Sequence, residues 1–194
     1  MSHHRHLSFW IRTLCLGLFC SGTYAESINY EQACKNAFYY QDLPKAYELC
    51  LAATQHGSHD AEVYYALAMT SAEVNHFGSS PWEYKEWLTK ASKAGHAQSQ
   101  YQLGLWYEER NAYPEALEWY RKASAQSQVE AKAKIGLFYL HGLGISKDYR
   151  SAKKYLEPTA TIGHSQAQYA LGLMHEQGLG YIADKNKALV WYEK

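Results

Sequence analysis

AGHAQSQYQLGLWYEE at residues 94–109 and IGHSQAQYALGLMHEQ at residues 162–177 are two versions of one pattern, 68 positions apart. A third version, EAKAKIGLFYLHG, lies about halfway between them at 130–142, and a fourth, YYALAMTSAE, precedes them at 64–73. Self-similarity at a period of about 20 to 50 residues is typical of proteins in which similar units stack on one another. The chain is therefore predicted to be a repeat protein. One place in each unit holds a small residue, namely Ala68, Gly104, Gly136 and Gly172.

The spacing around these small residues predicts two helices in each unit. A large aromatic residue follows each of them at Trp87, Trp119, Tyr155 and Trp191. The distance from an aromatic residue to the next small residue is always 17, whereas the distance from small to aromatic residue is 19, 15, 19 and 19. Such behaviour is expected when rigid helices stack and only one loop varies in length. We expect the small residue to allow close approach of the two helices and the aromatic residue to fill the gap opposite.

Glycine and aspartate residues mark the predicted loop in two of the units. Gly142 and Gly178 follow the first helix, where glycine permits termination with positive φ. Asp148 and Asp184 come six residues later, where a carboxylate can accept hydrogen bonds from the free N–H groups of the second helix.

Residues 167–192, AQYALGLMHEQGLGYIADKNKALVWY, resemble the Sel1-like repeat, a relative of the tetratricopeptide repeat. The resemblance covers roughly residues 59–194. It implies an all-α fold, a right-handed α-solenoid of stacked antiparallel helix pairs, and a non-enzymatic scaffold or adaptor that binds other proteins. The predicted solenoid at 26–194 consists of a degenerate tetratricopeptide-like unit at 28–57 and Sel1-like repeats at 59–94, 95–126, 127–162 and 163–194, the last incomplete.

Residues 1–25 are predicted to be a secretory signal peptide. They contain basic but no acidic residues, a short apolar run and small residues up to Ala25. The apolar run is far shorter than the roughly 20 residues of a bilayer-spanning helix. We therefore expect a bacterial envelope protein, exported to the periplasm or secreted, without a membrane span. A lipoprotein modified at Cys20 and an uncleaved anchor are the alternatives.

Cys34 and Cys50 are predicted to form a disulfide bond. They lie at equal distances from Asp42, in the predicted turn of the first unit, so they face each other across an antiparallel helix pair. An exported protein should oxidise two such cysteines. A catalytic redox pair normally has C-x-x-C spacing, and a metal site would need further ligands nearby, so both alternatives are weaker.

The charge balance argues against binding to nucleic acid. The chain has 19 Lys and Arg against 19 Asp and Glu, and removal of residues 1–25 leaves 17 against 19. Binding to phosphates requires a surplus of cationic side chains. The 47% hydrophobic content also argues against disorder.

A hydrolase is the enzymatic alternative. Ser151-Ala152-Lys153-Lys154 matches the S-x-x-K nucleophile motif, and disulfide-containing Sel1-like proteins have been associated with weak penicillin binding and hydrolysis. The short motif arises easily by chance, and no S-D-N or K-T-G accompanies it. The histidines form no H-E-x-x-H pattern, although His56 and His59 could bind zinc loosely. We therefore predict no catalytic, cofactor-binding or metal-binding residues.

The concave face of the solenoid is the predicted binding surface. By resemblance to tetratricopeptide grooves, the first helix of each unit points inward at fixed offsets from the small residue. Tyr, Gln and Glu beside Leu and Met would form a trough for an extended peptide or a helix of a partner protein. Packing between units is the alternative role for each tyrosine. The predicted partner-binding residues are Tyr65, Gln98, Tyr101, Leu105, Glu108, Gln166, Tyr169, Leu173 and Glu176. The same offsets also give Glu62, Met69, Ala72, Glu130, Ala133, Leu137 and Leu140.

The last unit ends at Lys194 without the polar cap that terminal repeats usually carry. We expect self-association through this end, or a shortened chain. A secreted factor that interacts with a host would use the same concave trough and is a further alternative.

Overall fold

The structure is a computed structural model that describes residues 28–74 and 81–194. The predicted signal peptide and Cys20 lie outside the described residues. Within the described part of the chain every regular element is an α-helix, which confirms the all-α prediction. The helices are α1 (Tyr30–Tyr39), α2 (Leu43–Gln55), α3 (Ala61–Val74), α4 (Pro81–Lys93), α5 (Ala97–Glu108), α6 (Tyr113–Ala125), α7 (Val129–His141), α8 (Tyr149–Thr161), α9 (Ser165–Gln177) and α10 (Lys185–Tyr192).

Consecutive helices pack as pairs, and the pairs stack in chain order. α1 packs on α2, α3 on α4, and so on to α9 on α10, while the second helix of each pair contacts the first helix of the next. The first helices of neighbouring pairs also contact each other, for example α1 and α3, or α7 and α9. The predicted α-solenoid is therefore confirmed. None of the helices described has the length and apolar character needed to span a membrane.

The fixed glycines allow the two helices of a pair to approach closely. A Cβ atom at Gly104 would lie 2.5 Å from Cε1 of Tyr120, and one at Gly172 would lie 2.3 Å from Cε1 of Tyr192. At Gly136 the opposing side chain is Leu156, whose Cγ would be 2.7 Å away. Each glycine thus leaves space that a large side chain of the second helix fills.

The side chain that fills this space is not the predicted one. It belongs to the residue after the marker aromatic, for example Tyr120 instead of Trp119, because one step along a helix turns the side chain by about 100°. Tyr120 is fully buried, whereas Trp119 is partly exposed and lies under the ammonium group of Lys122, 4.1 Å from the ring centroid. The expectation that the marker aromatic fills the gap was wrong by one residue.

The predicted caps are confirmed at both glycine-containing loops. Gly142 and Gly178 end α7 and α9 with φ of 74° and 71°. The Asp148 carboxylate accepts hydrogen bonds from the N–H groups of residues 150 and 151, and Asp184 accepts one from the N–H of Lys187.

The disulfide bond between Cys34 and Cys50 joins α1 to α2, as predicted. Both cysteines are fully buried, and their Cα atoms are 4.7 Å apart. In the repeat register Cys34 corresponds to Gly104 and Cys50 to Tyr120. The covalent bond therefore stands at the same helix crossing where the third pair has a glycine under a tyrosine ring.

Candidate functional site: the concave face

An open groove lies on the concave face between α1 and α3, at the N-terminal end of the described chain. Its volume is about 1010 Å³, against about 510 and 430 Å³ for the two cavities beside Tyr169. We call it the N-terminal groove. Its polar end is lined by Gln32, Lys35, Asn36, Glu62 and His96, its centre by Tyr65, and its mainly apolar end by Phe38, Tyr39, Gln41, Leu43, Met69 and Ala72.

One ammonium group and three carboxylates meet at the polar end. Nζ of Lys35 lies 3.0 Å from Asp60, 3.3 Å from Glu31 and 3.4 Å from Glu62. Burial alone would lower the pKa of Lys35, but the hydrogen bonds to these carboxylates raise it above its ordinary value. Burial opposes ionisation of Asp60, yet Lys35 and the N–H groups at the start of α3 hold its pKa below the usual range. One lysine beside three carboxylates gives the polar end a net negative formal charge.

Tyr65 occupies the centre of the groove between two other rings. Its ring meets Phe38 edge-to-face at 5.9 Å and lies 4.4 Å from the ring of His96. Burial raises the pKa of Tyr65, so its hydroxyl stays protonated as a hydrogen-bond donor. Tyr65 lines this groove together with the other three inward positions predicted on α3, Glu62, Met69 and Ala72.

His96 closes the polar end and begins α5. Its Nδ1 accepts a hydrogen bond from the N–H of Ser99 at 3.2 Å, so the ring caps the helix in its neutral form. Burial lowers the pKa of His96, although the nearby carboxylates of Glu62 and Asp60 partly oppose this shift. His164 caps α9 in the same way, through the N–H of Ala167 at 3.4 Å. The sequence alone did not identify these two histidines as helix caps.

In the middle of the concave face, the predicted binding residues contact the next repeat. Gln98 accepts a hydrogen bond from Nε2 of Gln128 at 2.6 Å, and Glu108 pairs with Nζ of Lys134 at 2.9 Å. The hydroxyl of Tyr120 donates a hydrogen bond to the second oxygen of Glu108. Two further predicted residues also pack here: Tyr101 with its ring 5.8 Å from that of Tyr120, and Leu105 against the core of the α6–α7 interface. For Tyr101 the structure shows packing within its own helix pair, against Tyr120 of α6.

The fourth pair contributes little to a trough. Ala133 and Leu140 occupy the places of Tyr101 and Glu108, and both are buried in the core with Leu156. Because all three side chains are apolar, they pack against each other instead of holding a polar bridge. The offsets that predicted a continuous trough therefore fail at these two positions.

The predicted residues of α9 lie on a more open surface. Tyr169 is 65% exposed and, with Gln166, lines the smaller cavity on this face. The hydroxyl of Tyr192 donates to Glu176 at 2.9 Å, and burial together with this bond raises the pKa of Tyr192 to about 12. Leu173 is partly buried. The nine predicted partner-binding residues thus fall into three groups, on α3, α5 and α9. These groups do not form one site.

Sequence reasoning missed the wall of the groove that α1 provides. The offsets used for the later units were not applied to the first, whose small residue is Cys34. Counting one and four residues beyond Cys34 gives Lys35 and Phe38, and both line the groove. Because Cys34 aligns with Gly104 in the sequence, the same offsets could have identified this wall.

The residues named for catalysis or zinc binding have local structural roles. The hydroxyl of Ser151 donates to Asp148 at 2.5 Å, as part of the cap of α8. His56 stacks on Tyr30 with ring centroids 4.7 Å apart, and Nδ1 of His59 lies 2.9 Å from the Tyr64 hydroxyl. Across residues 28–74 and 81–194, no group of three or more His, Cys, Asp or Glu side chains is placed to hold a metal ion.

Two solved structures have similar folds at 27% sequence identity. One is a Sel1 repeat protein from Oxalobacter formigenes, with a TM-score of 0.73 over 85% of this chain and 72% of that chain. The other is c5321, described as a protective antigen present in uropathogenic Escherichia coli strains displaying an SLR fold. Its TM-score is 0.71 over 84% of this chain, but only 38% of that chain is covered. The comparison with curated proteins found no match.

The family model for the Sel1 repeat matches residues 85–96, 97–128, 129–164 and 165–194. These segments make up more than half of the chain and contain most of α4 and all of α5 to α10. Sel1 repeats typically mediate protein–protein interaction and generally form a non-catalytic scaffold. The chain belongs to the Sel1 repeat family.

Proposed function

We propose that this protein is a non-enzymatic scaffold or adaptor of the bacterial cell envelope, and that it binds a peptide or a segment of a partner protein in the N-terminal groove. The observation that carries the proposal is the contrast along the concave face. Between α5 and α7 polar side chains bond to one another along the face, whereas between α1 and α3 such bonds are confined to the polar end around Lys35 and a groove of about 1010 Å³ lies beside them. Pockets that combine apolar walls with a few polar groups are common binding sites.

The composition of the groove suits a polypeptide ligand. Phe38, Tyr39 and Met69 offer apolar and aromatic contact area, and Tyr39 is 80% exposed. Gln32 and Asn36 are exposed amides on α1; Nε2 of Gln32 donates to Oδ1 of Asn36 at 3.0 Å, and the Gln32 oxygen and the Asn36 N–H groups can bond to a peptide backbone. Aromatic anchors flanked by polar groups are the usual make-up of protein-binding surfaces.

Site-specific photo-crosslinking in the source cell tests this function. A photoreactive phenylalanine analogue at Ala72, an exposed residue of the groove, should capture a partner of defined mass. The matched control places the analogue at Glu118, which is exposed on α6, a second helix of its pair. Combining the Ala72 probe with Tyr65→Ala and Met69→Ala should abolish the adduct. Equal adducts from both probe positions, or an adduct unaffected by the two substitutions, would contradict the proposed function.

Export is part of the proposal and has its own test. The buried disulfide bond is compatible with an oxidising compartment. N-terminal sequencing of the protein from periplasmic and culture fractions should find Glu26 as the first residue. An intact N-terminus in the cytoplasmic fraction would contradict export.

A further inference from the structure

The two ends of the N-terminal groove differ in chemical character. α1 and α3 are first helices of neighbouring antiparallel pairs, so they run the same way and present their first turns at one end of the groove. Lys35 and Glu62 precede Phe38 and Met69 on their helices. Met69 lies seven positions after Glu62, which corresponds to about 10 Å along the axis of α3. On α3 the charged end and the apolar end of the groove therefore lie about 10 Å apart.

The charged end favours a cation. The single ammonium group of Lys35 is shared among Glu31, Asp60 and Glu62, so two negative charges are left over. The Lys35 side chain is 26% exposed, whereas that of Glu62 is 65% exposed. An incoming group therefore meets the Glu62 carboxylate before it meets the lysine. Opposite charge at this position would improve both the rate and the specificity of association.

The distance between the two ends sets the spacing of the ligand. A chain in the polyproline II conformation advances about 3.1 Å per residue with three residues per turn, so two side chains three positions apart lie about 9 Å apart on the same side of the chain. Resting on the proposed function, we propose that the groove binds an extended peptide in this conformation, with a lysine or arginine at the polar end and a large apolar residue three positions away, at the apolar end. The basic side chain pairs with Glu62, and the apolar side chain packs among Phe38, Tyr39 and Met69.

Selection from a library of random dodecapeptides displayed on phage tests this specificity. The target is the purified, oxidised protein. The selected peptides should be enriched in a basic residue and a large apolar residue with two residues between them. Synthetic peptides are then measured by isothermal titration calorimetry. Replacing the basic residue of the peptide by glutamine should weaken binding about threefold, as expected for an exposed ion pair. Glu62→Gln should cause the same loss, and combining both changes should add nothing.

Matched variants distinguish the contributions of the two ends of the groove to peptide affinity. Met69→Ala should weaken binding about tenfold through lost apolar contact, and it should act equally on peptides with and without the basic residue. Glu118→Gln removes an exposed carboxylate of α6 and should leave binding unchanged. Thermal unfolding of each variant shows whether the fold is retained. A proline between the two anchor residues should be tolerated by an extended ligand, since only a helical one would be broken by it.

Each result distinguishes this specificity from the proposed function. Selection of acidic peptides, a different spacing, or loss of binding with the inserted proline would overturn the inference while a groove ligand remains. Selection of no peptide, or of peptides whose binding ignores Tyr65→Ala, would overturn both.

Discussion

The first and third helix pairs close the same crossing by different means. In the α5–α6 pair, Gly104 lies under the ring of Tyr120, and that ring also packs edge-to-face on Phe138 of α7 at 5.5 Å. In the α1–α2 pair, the corresponding residues Cys34 and Cys50 are joined covalently. The third pair thus depends on its neighbour for the contacts that hold its tyrosine, whereas the first pair closes within itself.

This difference extends to the concave face. The Tyr120 hydroxyl bonds to Glu108, and Glu108 pairs with Lys134 of the next repeat, so the polar groups of α5 are used in stacking. A disulfide bond offers no hydroxyl and needs no partner on the concave side. On α1, Phe38 holds the place of Glu108 and lines the groove, while Lys35 bridges to Glu62 of α3 at the polar end.

Removing the disulfide bond should have the largest effect. Cys34→Ala with Cys50→Ala deletes a crosslink that closes a loop of 16 residues, worth about 3 kcal/mol in the chain-entropy model. Hydrogen exchange should show faster opening of α1 and α2, with α7 to α10 unchanged. Wild-type protein unfolded and refolded under reducing conditions should behave the same. Equal exchange rates in the wild type and the double variant would contradict a stabilising role.

The second largest loss of stability should come from substituting the glycine at the helix crossing. Gly104→Ala places a methyl group against the fully buried ring of Tyr120, and overpacking of this kind exceeds the gain in helix propensity, for a net loss of about 2 kcal/mol. Gly172→Ala is the matched variant. Tyr192 is 40% exposed at the end of α10 and can move, so the net change should be near zero. Chemical denaturation measures both, and equal losses would show that burial of the tyrosine does not decide the cost.

The ion pair between Glu108 and Lys134 of the next repeat should contribute less to the free energy of unfolding. Lys134→Met removes the cation from Glu108, and because both side chains are mostly buried we expect a loss of about 1 kcal/mol. Lys122→Met breaks a pair of similar length with Glu118, but there both side chains are about half exposed or more, so the loss should be under about 0.5 kcal/mol. Equilibrium unfolding in urea compares the two. A larger loss from Lys122→Met would contradict this ranking.

The smallest predicted effect is on pH dependence at the start of α5. Burial lowers the pKa of His96 in the folded protein, against about 6.5 in the unfolded chain. Above pH 6.5 the ring is neutral in both states and the cap is intact. As the pH falls below 6.5 the unfolded chain takes up the proton first, so stability is lost progressively down through the lowered folded pKa.

The control for this prediction is an asparagine cap. The facing carboxylates of Glu62 and Asp60 reduce the shift, so the loss should be smaller than that of Lys134→Met. His96→Asn keeps a side-chain acceptor without titrating, as Asn29 does at the start of α1. Urea unfolding between pH 7.5 and 5 should show a shallower loss in the variant. Identical pH profiles would show that His96 does not contribute.

The sequence by itself determined the helix pairs, their loops and the disulfide bond. Helical periodicity, the position of Gly142 and Gly178, and the register of Cys34 and Cys50 depend on neighbours close in the chain, so a pattern reveals them. The same pattern identified the marker Trp119 but not the buried Tyr120. Both residues are large and aromatic, and only the direction in which each side chain points separates them.

Only the tertiary structure decided where the concave face is open. Whether a polar side chain lines a groove or bridges two repeats depends on residues far away in the chain, as Gln128 lies 30 positions from Gln98 and Lys134 lies 26 from Glu108. Equal offsets within each unit cannot reveal this, because the partner comes from the next unit. At the first pair Phe38 and Ala66 hold the places of Glu108 and Lys134, so the equivalent ion pair cannot form and both residues line the groove instead.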